Sequence, residues 1–157
     1  MFKLRFVLLL ATSFCFSQNT PITDANFQTA INTCLTSNPE DGMCSDSEYG
    51  AMPDWDVSKV TDMDRAFDGR DVFNVDISNW DVSNVTNMSS MFINATSFNQ
   101  PLNNWNVSNV TNMYAMFYDC TTLQITGIEN WNTNSLVNIQ QMFKSTKLLD
   151  ISFASWN

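Results

Sequence analysis

The sequence predicts an α/β solenoid of leucine-rich-repeat type: a stack of about four 25-residue strand/short-helix coils behind an N-terminal helical cap. Three observations carry that expectation. The five tryptophans, Trp55, Trp80, Trp105, Trp131 and Trp156, are spaced 25, 25, 26 and 25 residues apart. Apolar residues recur at fixed offsets from each tryptophan. The first half of each unit has helical spacing and the second half has a period of two.

The chain opens on an address. Lys3 and Arg5 precede an apolar run from Phe6 to Phe16, eleven residues long. That length suits a signal-peptide core of about 7–15 residues; a membrane span needs about 20. Cys15 and Ser17 are small residues at −3 and −1 if cleavage follows Ser17. Residues 1–17 are therefore read as a signal peptide, no transmembrane span is expected, and the protein is placed outside the cell or at its surface. Phe14, ahead of Cys15, argues against a lipid-anchored cysteine.

Residues 18–51 are read as an N-terminal helical cap and first strand. Thr23 is expected to cap a helix that aligns Phe27, Ala30, Ile31, Cys34 and Leu35. Ile22 and Phe27 fit a hydrophobic staple, and Pro39 ends the helix. Cys34 and Cys44 are ten residues apart in a chain read as secreted, so a disulfide is expected. Glu48 to Met52 is read as the first strand.

Residues 52–157 hold four repeats, apparently truncated in a fifth. Two positions after each Trp stand Val57, Val82 and Val107. Five after stand Val60, Val85, Val110 and Leu136; eight after stand Met63, Met88, Met113 and Ile139. Val85, Met88, Met91 and Phe92 then share one face of a short helix, with Ser83 and Asn84, or Thr86, at its start. Phe73, Val75 and Ile77 alternate as a strand does, as do Phe98, Gln100 and Leu102, and Leu149, Ile151 and Phe153. The extra residue of the third unit falls near Thr126-Gly127, where a bulge is expected. The tryptophans and methionines share the inward register and are read as core. Cys120 takes the place of Ala95 and Thr146 and reads as a small buried thiol. Many of the twenty asparagines fall in register, as at Asn79, Asn104 and Asn130, where turn corners are expected. The glycosylation-like patterns at Asn84, Asn94 and Asn109 arise from the repeat itself.

The repeat resembles that of BspA-type leucine-rich-repeat surface proteins. The residues carrying the resemblance run from Trp80 to Met88, through Met91-Phe92, to Phe98-Asn99-Gln100-Pro101-Leu102, and the motif returns from Trp105 to Phe117. The fourth unit is degraded at Trp131 to Leu136. The resemblance implies a secreted or surface-displayed protein of bacterial type, some of whose relatives act as adhesins.

Composition narrows the chemistry. The chain has no histidine, which excludes a Ser-His-Asp or Cys-His unit and His-ligated metal. Sixteen acidic against seven basic residues give a net charge of −9, which leaves no footprint for nucleic acid. Twelve of the acids fall within residues 40–81. They lack the spacing of an EF-hand, so a solvated acidic face is the default and calcium the alternative. Asp56 and Asp81 become Asn106 and Asn132 in later units, a sign of turn roles with no poised carboxylate pair. No enzyme activity, cofactor or metal site is expected.

The expected function is binding of an extracellular protein or cell-surface ligand. The candidate face is the outward strand row: Asn74, Asp76, Asn99, Pro101, Gln124, Asp150 and Ser152. The alternative is a structural spacer or a fragment of a larger surface protein. An uncovered C-terminal coil would expose Ile151, Phe153 and Trp156, so end-to-end association there is a further expectation.

Overall fold

A computed structural model describes residues 20–124, 127–147, 152–154 and 156. The expected signal peptide at 1–17 lies outside these residues, as do Thr126 of the expected bulge and Leu149, Asp150 and Ile151 of the last expected strand.

One α-helix, α1, spans Phe27–Ser37 and buries Phe27, Ala30, Ile31, Cys34 and Leu35. Its apolar residues recur three and four apart, which gathers them on one face. Thr23 does not cap it with its side chain. Asn26 is the N-cap residue, and its carboxamide turns back to accept the Thr23 backbone N–H at 2.8 Å. The Thr23 carbonyl accepts the Phe27 N–H instead. A disulfide joins Cys34 to Cys44 across ten residues and ties the loop after α1 back to the helix.

The rest of the described chain forms no strand and no sheet. Its regular elements are single 3-10 turns at Met52–Asp54 and Ile128–Asn130, and its ladder is one parallel bridge per unit, Asp62 to Asn87 to Asn112 to Asn138. The α/β solenoid of leucine-rich-repeat type is therefore contradicted. The expected first strand at 48–52 runs into a 3-10 turn, and the expected bulge at Gly127 is a left-handed residue (φ 90°) that opens another.

Consecutive β-turns replace the expected helix over 85–92. Ser90 and Asn94 have φ of 55° and 59°, and they are the third residues of turns closed by Met91 N–H to Met88 and Ala95 N–H to Phe92. A positive φ at that position defines a type II turn and breaks any right-handed helix. The device repeats in register at Arg65 and Gly69, Ala115 and Asp119, and Gln141 and Ser145. Every second amide is thereby aimed out of its unit. The N–H groups of Met88, Ser90, Phe92 and Asn94 donate to Asn112, Tyr114, Met116 and Tyr118 in the next unit at 2.7–2.9 Å. The amides between them close the turns. An α-helix would have spent all of these donors on its own axis.

The expected strands at 73–77 and 98–102 keep the alternating burial but not the pairing. Phe73, Val75 and Ile77 are buried while Asn74 and Asp76 are exposed. Between units, side chains take the place of a backbone ladder: Asn74 Oδ1 accepts the Asn99 N–H at 2.9 Å, and Gln100 Nε2 donates to the Asn74 carbonyl at 2.9 Å. Those two backbone groups are thereby taken out of a parallel ladder, and Pro101 has no N–H to offer one.

Aromatic columns form the core. Phe67, Phe92, Phe117 and Phe143 stack with ring centroids 5.4–5.7 Å apart. Phe73 and Phe98 lie flat on Phe67 and Phe92 at 4.0 and 4.1 Å. Each indole of Trp80, Trp105 and Trp131 is buried, and its N–H donates to the carbonyl three residues before the preceding Trp, at Met52, Ile77 and Leu102. The polar handle of the buried ring thus ties one unit to the last. Gly127 lies close against the preceding unit, since a Cβ there would sit 2.1 Å from Asn103 Cβ. Burial lapses at the fourth unit: Ile139, in the register of the fully buried Met63, Met88 and Met113, is 49 % exposed.

Candidate functional site

Asn74, Asp76, Asn99, Pro101, Gln124 and Ser152 are all exposed, and Asp150 lies outside the described residues. Two of them are already engaged between units. Asn74 Oδ1 holds the Asn99 N–H, and Asn99 Oδ1 holds the Gln124 N–H at 2.6 Å. Asp76 turns its carboxylate onto the Ser78 N–H at 3.0 Å. The Ser78 hydroxyl and then the Ser78 amide hold that carboxyl below the ordinary aspartate pKa, so it stays charged.

Asn74 and Asp76 line a groove of about 600 Å³ between the cap loop and the first two units. The cap side contributes Glu40, Asp41 and Met43; the 3-10 turn contributes Pro53; the repeat contributes Val72, Asn74, Val75, Asp76, Ser97 and Gln100. The loop's position follows from its local chemistry. The disulfide fixes Cys44, Asp41 Oδ1 accepts the Met43 N–H, and the Gly42 carbonyl accepts the Met52 N–H. Gly42 has φ of 63°, and a Cβ there would stand 3.0 Å from the Val75 methyls, so the loop lies directly on the first unit.

The groove combines apolar and acidic surface. Met43 is 54 % and Val72 43 % exposed, two of the four large hydrophobic residues exposed among the described residues. Glu40, Asp41 and Asp76 rim them, and none of the three is in an ion pair among the described residues; the pairs there join Arg65 to Asp64 and Asp68. Such a surface suits a partner with apolar and basic side chains.

Met43, Val72, Pro53, Glu40 and Asp41 were not among the expected site residues. Val72 carried a signal, since it is an outward-facing apolar residue next to the inward Phe73. The loop residues carried none, because their approach to the repeat depends on the disulfide and on Gly42.

Other acids serve turns. Asp56, Asp81, Asn106 and Asn132 each accept the N–H two residues on, at 3.0–3.2 Å. Aspartate and asparagine interchange there because both offer that oxygen. No group of three or more His, Cys, Asp or Glu side chains converges as a metal site among the described residues. Cys120 donates its thiol proton to the Phe92 carbonyl at 2.9 Å, and burial pushes its pKa up to about 12. The Thr146 hydroxyl donates to the Phe117 carbonyl at 2.5 Å. The amides of Asn84 and Asn109 donate to Ser58 and Ser83 of the preceding units.

A family model described as "Mycoplasma protein of unknown function, DUF285" matches residues 41–156. The chain belongs to this family. No curated protein and no solved structure matches it. The DUF285 segment takes in the turn-built repeats together with Asp41 and Met43 of the groove, while α1 precedes it. No helix of this DUF285 protein is long and apolar enough to cross a membrane among the described residues.

Proposed function

We propose that this DUF285 protein is a secreted or cell-surface protein-binding module of the BspA-like type, acting in adhesion or recognition. The observation that carries the reading is the groove beside α1, where Met43 and Val72 are exposed between Glu40, Asp41 and Asp76. Exposed apolar residues beside uncompensated charge are common where one protein receives another. The partner segment would bring apolar side chains with lysine or arginine beside them. The outward row from Asn74 extends the contact surface along the stack.

Binding of the full chain to matrix proteins and to partner-cell envelopes tests the proposal. The doubly substituted Met43→Ser, Val72→Ser chain should lose about tenfold or more in affinity for any ligand found. Asp76→Asn should weaken binding less and reduce its salt dependence. A ligand whose affinity neither change alters would place the binding face elsewhere.

A second reading, a structural spacer, draws on a different observation. The side chains of Asn74 and Asn99 are occupied by the neighbouring unit, so part of the outward row holds the stack together. Under that reading neither binding assay yields a saturable ligand.

A further inference from the structure

The groove beside α1 has backbone donors along its repeat side. In the second and third units the segment at this level bonds back to the unit before it. The Ser97 N–H donates to the Asp71 carbonyl at 3.0 Å, the Asn99 N–H to Asn74 Oδ1 at 2.9 Å, and the Gln124 N–H to Asn99 Oδ1 at 2.6 Å. In the first unit the residues in register with Ser97 and Asn99 are Val72 and Asn74. Both line the groove, and neither N–H has an acceptor among the described residues. They stand two apart, with buried Phe73 between them. Their register aims both amides towards the cap side, where the groove lies.

The cap stands in for a preceding coil at other levels of the first unit. The Asp24 carboxylate accepts the Thr61 and Asp62 N–H groups, and the Gly42 backbone lies on the Val75 methyls. At Val72 and Asn74 the loop leaves open space instead, with Glu40, Asp41 and Met43 on its far side. The rim there is acidic: Glu40, Asp41 and Asp76 are in no ion pair among the described residues. A second copy of this chain is a poor occupant, because sixteen acidic against seven basic residues make two copies repel.

Resting on the protein-binding reading of the groove, we propose that its occupant is an extended basic segment of a partner polypeptide, held by backbone pairing with the first unit. Two carbonyls of that segment, two residues and about 6.6 Å apart, accept the Val72 and Asn74 N–H groups. Its lysine or arginine side chains meet Glu40, Asp41 and Asp76. Its apolar side chains, alternating with the basic ones, cover Met43 and Val72. The mode is strand addition to an unpaired edge, with the acidic rim setting the charge preference. The segment takes the place that Asp71 and Asn74 hold for the second unit.

The probe is a synthetic peptide of about seven residues, alternating lysine and valine and blocked at both ends, titrated into the isotopically labelled full chain. It should bind saturably and slow amide exchange at Val72 and Asn74 by about tenfold or more. The double variant Glu40→Gln, Asp41→Asn should weaken binding about tenfold, while still offering an oxygen to the Met43 N–H. The same peptide with glutamate for lysine should not bind. Binding that shifts the Met43 and Val72 side-chain signals but leaves exchange at Val72 and Asn74 unchanged would overturn the backbone pairing and leave the groove a protein-binding surface. Absence of saturable binding would also overturn it, while the reading beneath it is decided separately by the Met43→Ser, Val72→Ser chain against matrix proteins and cell envelopes. Movement of the same signals with protein concentration alone would put a second copy in the groove and overturn it as well.

Discussion

The first and fourth units meet the same problem differently. At the first unit, the donors that would pair with a preceding unit meet a carboxylate. Asp24 Oδ1 accepts the N–H groups of Thr61 and Asp62 at 2.7 and 3.2 Å, and Oδ2 accepts the Thr61 hydroxyl at 2.7 Å. In the interior, Thr86 and Thr111 give those same N–H and hydroxyl donors to the carbonyls of Thr61 and Thr86. One side chain thus stands in for a missing coil. At the fourth unit nothing stands in for one among the described residues: the forward amides are unpaired, Ile139 is exposed and Phe143 is half-buried. Repeat stacks are held by interfaces between neighbours, so each unit's stability depends on how many neighbours it has.

The largest test of that difference is in the phenylalanine column. Phe92 has aromatic neighbours in the units on both sides, whereas among the described residues Phe143 has Phe117 in the preceding unit, with Phe153 stacked on it and Trp156 tilted beside it. Phe92→Ala should cost about 4 kcal/mol, as deletion of a fully buried ring does. Phe143→Ala should cost about 2 kcal/mol, nearer to the transfer value alone. Urea unfolding of both variants gives the comparison, and equal losses would mean the fourth unit is packed as tightly as the second.

A smaller effect is expected at the closed end. Asp24→Ala removes the acceptor for Thr61 and Asp62 and should cost about 1 kcal/mol, the range of a lost cap. Partial burial alone would raise the Asp24 carboxyl, but the Thr61 hydroxyl and the Thr61 and Asp62 amides outweigh it and hold the pKa below the ordinary value. Asp56, Asp76 and Asp81 are also lowered, each chiefly by its serine two residues on. A lowered folded-state pKa means stability is fully present above the unfolded aspartate value of about 3.9 and is lost as pH falls through the folded value. Acid titration of stability should therefore be flat near neutrality and fall at low pH. The fall should be shallower in Asp24→Ala.

The smallest expected effect has the opposite sign. Ala115 sits in the left-handed region at φ of 50° although it carries a Cβ. Ala115→Gly relieves that cost and should gain about 0.5 kcal/mol, where glycine in a helix would lose as much or more. Thermal unfolding of this variant separates turns from helix directly.

Much of the inward set was legible in the sequence because register alone decides it. Val85, Met88, Met91 and Phe92 are buried, as their shared offsets from Trp80 implied. Their backbone was not legible. Spacings of three and four residues bring side chains to one face in consecutive turns as well as in a helix, so the pattern does not choose between them. Gly69, Asn94 and Asp119 did carry a signal, being residue types that tolerate positive φ and standing in register. Ser90 and Ala115 carried none. The outward row was legible as exposed, but the use of Asn74 and Asn99 between units was not. Sequence places those amides in a row without saying what they bond.

Amide hydrogen exchange resolved by residue tests the central claim most directly, namely that alternate turn amides bind each unit to the next. Strong protection is expected at Met88, Ser90, Phe92 and Asn94, which bond to the following unit, and faster exchange at Ile139, Gln141, Phe143 and Ser145, the same positions with no acceptor among the described residues. Equal protection in the second and fourth units would contradict it.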